Sequence, residues 1–109
     1  MSAALVNGTQ LFFRGRAILR AMQGYVLTTA ANMADAVITG DSAGGLATYL
    51  HIDSWAKVLQ APGRKVVGMP DSGFFPYYNG TAHFSSGMHW VFRYMNSTAG
   101  VNSRCIAAH

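Results

Sequence analysis

The chain has 109 residues, half of them apolar and only 11% charged, with a net charge of +4. A chain of this length forms one domain at most, and its apolar content predicts a globular rather than a disordered protein. The eight basic residues are spread along the sequence, so no basic patch that would bind nucleic acid is predicted. No apolar run reaches the roughly 18 residues that a membrane span needs. The mild positive charge would suit an acidic polymer as partner, although it also serves solubility.

The first predicted element is an amphipathic helix over residues 16–27, because apolar residues recur there at helical spacing. Its predicted apolar face carries Ile18, Met22, Tyr25 and Val26. Its predicted polar face carries Arg16, Arg20 and Gln23. Residues 28–35, which follow, are expected to form a loop.

A strand, a helix and a second strand are predicted next. The β-branched run at residues 36–39 ends at Gly40 and is too short for a helix, so it predicts a buried strand. A helix is predicted over residues 43–59, and a second short strand over residues 65–69. Consecutive strands joined by a helix pair in parallel, so the sequence predicts an α/β fold built on a βαβ unit. Apolar spacing between residues 84 and 95 predicts a third helix, weakened by one glycine.

The junction between the first of these strands and its helix contains a serine among glycines. Its residues are Gly40, Asp41, Ser42, Ala43, Gly44 and Gly45. A sharp strand-to-helix turn lifts a nucleophilic serine clear of the sheet where the residues two before and two after it are small. The helix aims its first NH groups at the site, so the NH of Ala43 is predicted to stabilise an oxyanion. The pattern predicts Ser42 as a nucleophile, the alternative being a glycine-rich turn whose serine caps the helix.

A serine nucleophile needs a histidine as general base and a carboxylate behind it, in the chain order serine, acid, histidine. Asp71 lies just after the second strand and is a weak candidate for the acid, although turn chemistry alone favours a turn-capping aspartate. The histidines that follow it are His83, His89 and His109. No two histidines or cysteines share the short spacing of metal ligands, so no metal site is predicted. No cofactor is predicted either.

Three asparagines lie in the acceptor pattern for N-glycosylation, which is typical of a secreted surface. They are Asn7, Asn79 and Asn96. The N-terminal segment lacks a charged region followed by an apolar one, so no signal peptide is predicted within the chain as written. The single cysteine, Cys105, has no second cysteine with which to form an internal disulfide.

Three segments, LFFRGRAIL, GDSAGGLATYLHIDSW and VVGMPDSGFF, occur in this order at suitable spacing. Together they resemble the pectin acetylesterase and Notum family of α/β-hydrolases, over residues 7–105. The resemblance implies that residues 1–109 form a partial α/β-hydrolase domain, a central fragment of a larger, secreted and usually glycosylated serine carboxylesterase. It also implies that Ser42 is the nucleophile, Ala43 an oxyanion donor, and Asp71 a structural residue rather than the triad acid.

The chain departs from the family pattern in three ways. It contains neither the Gly-Gly-Trp segment that completes the oxyanion hole of such enzymes nor the triad Asp and His, which lie downstream of the matched region. Plant-like members have cysteines where this chain has Ile52 and Gly68. Cys105 resembles a family cysteine without its partner. We therefore expect the 109 residues alone to be marginally stable, with unpaired sheet edges, and to lack triad-based esterase activity.

The resemblance implies removal of acetyl groups from pectin or a similar acidic polysaccharide, through an acyl-enzyme on Ser42 in a longer parent protein. Within the enzyme class, the alternative is a Notum-like deacylase that removes a fatty acyl group from a protein. Outside that class, the alternative is a non-catalytic remnant or binding module that keeps the centre of the fold without its base.

Overall fold

The computed structural model of the protein describes residues 2–76 and 82–108. Contacts divide the chain into two compact units, Met1–Met33 and Ala34–His109. The first unit holds strands β1 (Ser2–Val6) and β2 (Thr9–Phe13) and helix α1 (Gly15–Thr29). The second holds β3 (Ala36–Asp41), α2 (Ala43–Leu59), β4 (Val66–Asp71), α3 (Ala82–Tyr94), a short 3-10 helix (Ser97–Gly100) and α4 (Ser103–Ala108). These elements confirm the predicted α/β class.

Strands β1 and β2 form an antiparallel hairpin that was not among the predicted elements. Val6 pairs with Thr9 across a two-residue turn. The turn residues Asn7 and Gly8 have φ of 48° and 77°, and tight two-residue hairpin turns favour such positive values. An Asn-Gly pair between two apolar runs is the sequence signal that would have predicted this hairpin.

Helix α1 confirms the predicted first helix, but it extends to Thr29 and so includes two residues predicted as loop. The hydroxyls of Thr28 and Thr29 donate hydrogen bonds to the backbone carbonyl of Tyr25, at 2.9 and 2.8 Å. Because these bonds satisfy both hydroxyls within the last turn, the threonines are accommodated in the helix.

The exposure of the α1 side chains does not follow the predicted apolar and polar faces. Ile18 and Tyr25 are each 62% exposed, whereas Gln23, predicted to face solvent, is only 4% exposed. Helical spacing indicates which side chains share a face, but another element must cover that face before it is buried.

Strands β3 and β4 pair in parallel, as predicted, with Ala36 opposite Val66 and Asp41 opposite Asp71. Both strands end two residues later than predicted, so each ends on an aspartate. Helix α2 lies against both strands. Among the described residues, Leu59 in its last turn is the only large side chain that is fully buried, at 1% exposure. The βαβ unit therefore has a very small core.

The carboxylate of Asp35 joins the starts of β3 and β4. Its Oδ1 accepts a hydrogen bond from the backbone NH of Lys65 at 2.8 Å, and the NH of Ala36 donates to the carbonyl of Lys65 at 2.9 Å. We expect Asp35→Ala to lower the free energy of unfolding by about 1 kcal/mol, because the Lys65 NH loses its acceptor. Asp35→Asn keeps an acceptor oxygen and should retain most of the stability. Urea unfolding followed by circular dichroism measures both variants, and equal losses would contradict this role.

The predicted third helix is confirmed as α3, in which the rings of Trp90 and Tyr94 stack with centroids 4.8 Å apart. Just before α4, the side-chain amide of Asn102 donates a hydrogen bond at 2.6 Å to the carboxylate of Asp53 on α2. Across the described ranges, no helix has both the length and the apolar character that a membrane crossing requires.

Candidate active site

Ser42 is the single residue between the end of β3 and the start of α2. Its backbone has φ 51° and ψ −112°, a combination that is sterically costly for any residue with a side chain. It is exposed and occupies the N-cap position, yet its hydroxyl makes no capping hydrogen bond to the helix. The alternative of a helix-capping serine is therefore wrong.

The backbone of the Ser42 turn is held on both sides. Its NH donates to the carbonyl of Asp71, at the end of β4, and its carbonyl accepts a hydrogen bond from the NH of Leu46 in the first turn of α2, each at 3.1 Å. The NH of Ala43 belongs to the first helical turn, where no acceptor exists within the helix. This geometry is compatible with the oxyanion role predicted for the Ala43 NH.

The glycines around the serine do not play equal parts in the packing. A Cβ added to Gly40 would lie 2.5 Å from the carbonyl oxygen of Gly44, and one added to Gly45 would lie 2.6 Å from the Cα of Gly73. A Cβ added to Gly44 would meet nothing within 4 Å. The close packing predicted around the serine therefore depends on the absent side chains of Gly40 and Gly45, whereas Gly44 contributes its backbone.

Asp71, the weak candidate for the triad acid, ends β4 directly opposite Asp41. Its Oδ1 accepts a hydrogen bond from the hydroxyl of Ser72 at 3.1 Å. The hydrogen bonds within the described ranges include none between a histidine and either Asp71 or Ser42. His89 is exposed on α3, whereas the side chain of His83 and the whole of His109 lie outside the described part of the chain. No described side chain is therefore placed as the base for Ser42.

The remaining predicted sites are on the surface where they are described. Asn7 is exposed in the β1–β2 turn, and Asn96 is exposed, with φ 48°, immediately before the 3-10 helix. Asn79 lies outside the described residues. Cys105 is an exposed free thiol on α4. Within the described ranges, no group of three His, Cys, Asp or Glu residues is arranged to hold a metal ion.

Ser72 and Gly73 were not predicted as site residues, yet they follow the strand that neighbours the Ser42 turn. Ser72 has a positive φ of 46°, and Gly73 is buried. The available signal was a repeated pattern, because an Asp-Ser pair follows the apolar run of each parallel strand. An Asp-Ser pair is too common in turns to indicate a site unless the pairing of the two strands is known.

A serine in a strained turn between a parallel strand and a helix, with closely packed glycines on either side of it, has the geometry of the nucleophile elbow of α/β-hydrolases. The βαβ unit and this turn therefore place the chain in the α/β-hydrolase class.

Comparison with known proteins identifies the family within that class. The family model described as Pectinacetylesterase matches residues 2–109. Pectin acetylesterase 5 of Arabidopsis thaliana is 33% identical over 109 residues, an alignment that covers 96% of this chain and 25% of that relative. The chain belongs to the pectinacetylesterase family, which confirms the predicted resemblance. It spans about a quarter of the length of the curated relative. No solved structure matches it.

Proposed function

We propose that Ser42 is the nucleophile of a serine carboxylesterase that removes acetyl groups from pectin or a similar acidic polysaccharide. Its hydroxyl oxygen attacks the ester carbonyl while its proton passes to a base, and the polysaccharide hydroxyl leaves. Water then hydrolyses the acetyl-serine ester and releases acetate. Because no described histidine bonds to Ser42, the triad acid and base are proposed to come from other parts of a longer parent protein.

The observation that carries this proposal is the strained backbone of Ser42, together with a hydroxyl that makes no capping hydrogen bond to α2. A non-glycine residue held in such a backbone conformation costs on the order of 1–3 kcal/mol. A structural serine would be expected to offset some of this cost by capping α2, and Ser42 makes no such bond. An exposed hydroxyl at the carboxyl end of a parallel strand fits attack on a substrate better than it fits support of a turn.

Two further features support the proposed substrate. The net charge of +4 would attract a polymer of acidic sugars by long-range electrostatics. Membership of the pectinacetylesterase family and the name of the Arabidopsis relative, pectin acetylesterase 5, agree with an acetylated pectin as substrate. The NH of Ala43 would receive the negative charge that develops on the ester oxygen.

A secreted parent protein follows from this function, because its polysaccharide substrate is extracellular. Asn7 and Asn96 are exposed within their acceptor patterns, and we propose both, together with Asn79, as N-glycosylation sites. Peptide mapping of the protein secreted from eukaryotic cells, with and without glycan removal, checks the three positions. Unmodified peptides at all three would contradict this part of the proposal.

The test is made on the full-length gene product, read in frame upstream of Met1 and past His109. Wild type is expected to be labelled by a fluorophosphonate and to release acetate from acetylated pectin. Ser42→Ala should lower acetate release by at least about 1,000-fold and abolish labelling. Ser103→Ala, at an exposed serine on α4, is the matched control and should leave both unchanged. Undiminished labelling in Ser42→Ala would overturn the assignment.

A series of p-nitrophenyl esters separates the proposed activity from the Notum-like alternative. We expect acetate esters to be hydrolysed faster than octanoate esters, and the reverse order would favour a protein deacylase. A reading frame that supplies no downstream aspartate and histidine would instead favour a non-catalytic remnant. In that case Ser42→Ala would change no measured rate.

A further inference from the structure

The two parallel strands of the second unit end in the same way. β3 ends at Asp41 and continues into Ser42, while β4 ends at Asp71 and continues into Ser72, and the register places the two aspartates opposite each other. Both serines have a positive φ, 51° and 46°. Two neighbouring turns of unfavourable backbone conformation therefore lie at the carboxyl ends of the two strands. Backbone strain of this kind is often found at functional sites.

The second turn is bonded to the first. The NH of Ser42 donates to the carbonyl of Asp71 at 3.1 Å, so the parallel hydrogen-bond ladder continues one step beyond the end of β3. The Ser42 NH is used in this way and is not available to an oxyanion, which leaves that role to the Ala43 NH. The Asp71 carbonyl thus fixes the peptide plane that precedes the reactive side chain.

A direct contact between backbones lies beside this bond. A Cβ added to Gly45 would lie 2.6 Å from the Cα of Gly73 and 2.7 Å from the carbonyl oxygen of Asp71. A Cβ added to Gly73 would lie 2.7 Å from the Cα of Gly45. Both glycines are buried, and the contact is too close for a side chain on either of them. The first turn of α2 therefore rests on the segment that follows β4.

Ser72 makes this contact possible. Its positive φ turns the chain sharply after Asp71, and its hydroxyl donates to the Asp71 carboxylate at 3.1 Å, a bond that favours the turned conformation. Gly73 is thereby brought against Gly45 instead of continuing along the strand direction.

We infer that residues 71–73 are a positioning element for the nucleophile, with Gly73 as the residue on which the position of the Ser42 turn depends. The segment holds the turn from the β4 side through the Asp71 carbonyl and from the α2 side through Gly45. The consequence for catalysis rests on the proposed function of Ser42, whereas the structural part does not.

The structural part is tested on the full-length gene product by amide hydrogen exchange, measured by mass spectrometry with fragmentation that resolves the Ser42 NH. Gly73→Ala is expected to speed exchange of the Ser42 NH by at least about tenfold, because the added Cβ forces the turn away from β4. Gly87→Ala, at a glycine of α3 whose Cβ would meet nothing within 4 Å, is the matched control and should leave Ser42 unchanged. Ser42 exchange within about twofold of wild type in Gly73→Ala would overturn the inference.

A milder pair of variants decides the question should Gly73→Ala fail to fold. Ser72→Ala and Ser72→Gly both remove the hydroxyl, but only glycine adopts a positive φ without strain. Ser42 exchange should be faster in Ser72→Ala than in Ser72→Gly. Equal exchange in the two variants would show that the turn at residue 72 does not hold Ser42.

The catalytic consequence is tested with Gly73→Ala and Gly87→Ala in the full-length gene product. At temperatures where circular dichroism shows both to be folded, Gly73→Ala should lower the rate of fluorophosphonate labelling, and kcat on p-nitrophenyl acetate, by at least about tenfold, with KM little changed. Equal labelling rates would overturn the catalytic role. A wild type that is not labelled would refute the proposed function instead, and hydrogen exchange would still decide the structural part.

Discussion

Gly40→Ala is expected to destroy the Ser42 turn, whereas the same substitution at Gly44 is expected to stabilise the chain. A Cβ at Gly40 would lie 2.5 Å from the carbonyl oxygen of Gly44 and 2.6 Å from its carbonyl carbon. Both atoms belong to the backbone of α2, so relief requires the helix to move away from β3. We expect a loss of at least about 3 kcal/mol, which exceeds the usual cost of one added methyl group because no flexible side chain can yield.

Gly44→Ala adds a methyl group to open space in the first turn of α2. Alanine is favoured over glycine in a helix by about 1 kcal/mol, so a gain of up to that amount is expected. Urea unfolding of the two variants, with wild type alongside, measures both changes. If both variants lost a similar amount of unfolding free energy, the prediction that only a side chain at position 40 clashes with the backbone of α2 would be contradicted.

The double variant Ile52→Cys/Gly68→Cys is expected to form a disulfide between α2 and β4. A Cβ added to Gly68 would lie 3.2 Å from Cγ1 of Ile52. In a disulfide, the Cβ of one cysteine lies about 3 Å from the sulfur of the other, because the Cβ atoms are about 3.8 Å apart and the S–S bond is about 2.05 Å. A sulfur in place of Cγ1 is thus well placed to form a disulfide with a cysteine at position 68. By the family resemblance, plant-like members have cysteines at these two positions.

The disulfide would close a loop of roughly 15 residues, for which a gain of about 3 kcal/mol is expected. Thiol titration and the difference in unfolding free energy between oxidised and reduced forms measure it. Ile52→Cys/Gly87→Cys has the same number of thiols, with its second cysteine on α3, and is the control. Full reactivity of both new thiols after oxidation would contradict the proximity of positions 52 and 68.

The Ser42 turn could be predicted from sequence because everything that defines it is local. Five consecutive residues and an apolar run on one side fix the strand, the reversal and the start of the helix. The parallel pairing of β3 and β4 was also predictable, since a helix between two short strands leaves few other arrangements. The β1–β2 hairpin, which was not predicted, also has a local signal, because its Asn-Gly pair favours a two-residue turn.

What could not be predicted depends on contacts across the fold. The spacing of Ile18 and Tyr25 is helical, but the sequence of the helix does not determine whether another element covers their face. The role of Gly73 depends on Gly45, which is 28 positions earlier in the chain, and only the strand register brings the two together. Similarly, the small core around Leu59 could not be anticipated from a composition that is half apolar.

The parallel pairing of β3 and β4 also sets the order in which the protein can be assembled during synthesis. Paired residues are 30 positions apart, so β3 leaves the ribosome well before its partner exists. At about 5–20 residues per second, the delay is roughly 1.5 to 6 seconds, during which the apolar β3 segment has no strand beside it. The acceptor for the Ser42 NH is the carbonyl of Asp71, so the serine reaches its final geometry only after residue 71 has emerged. A nascent chain that stalls earlier would carry Ser42 without the backbone acceptor that holds its conformation.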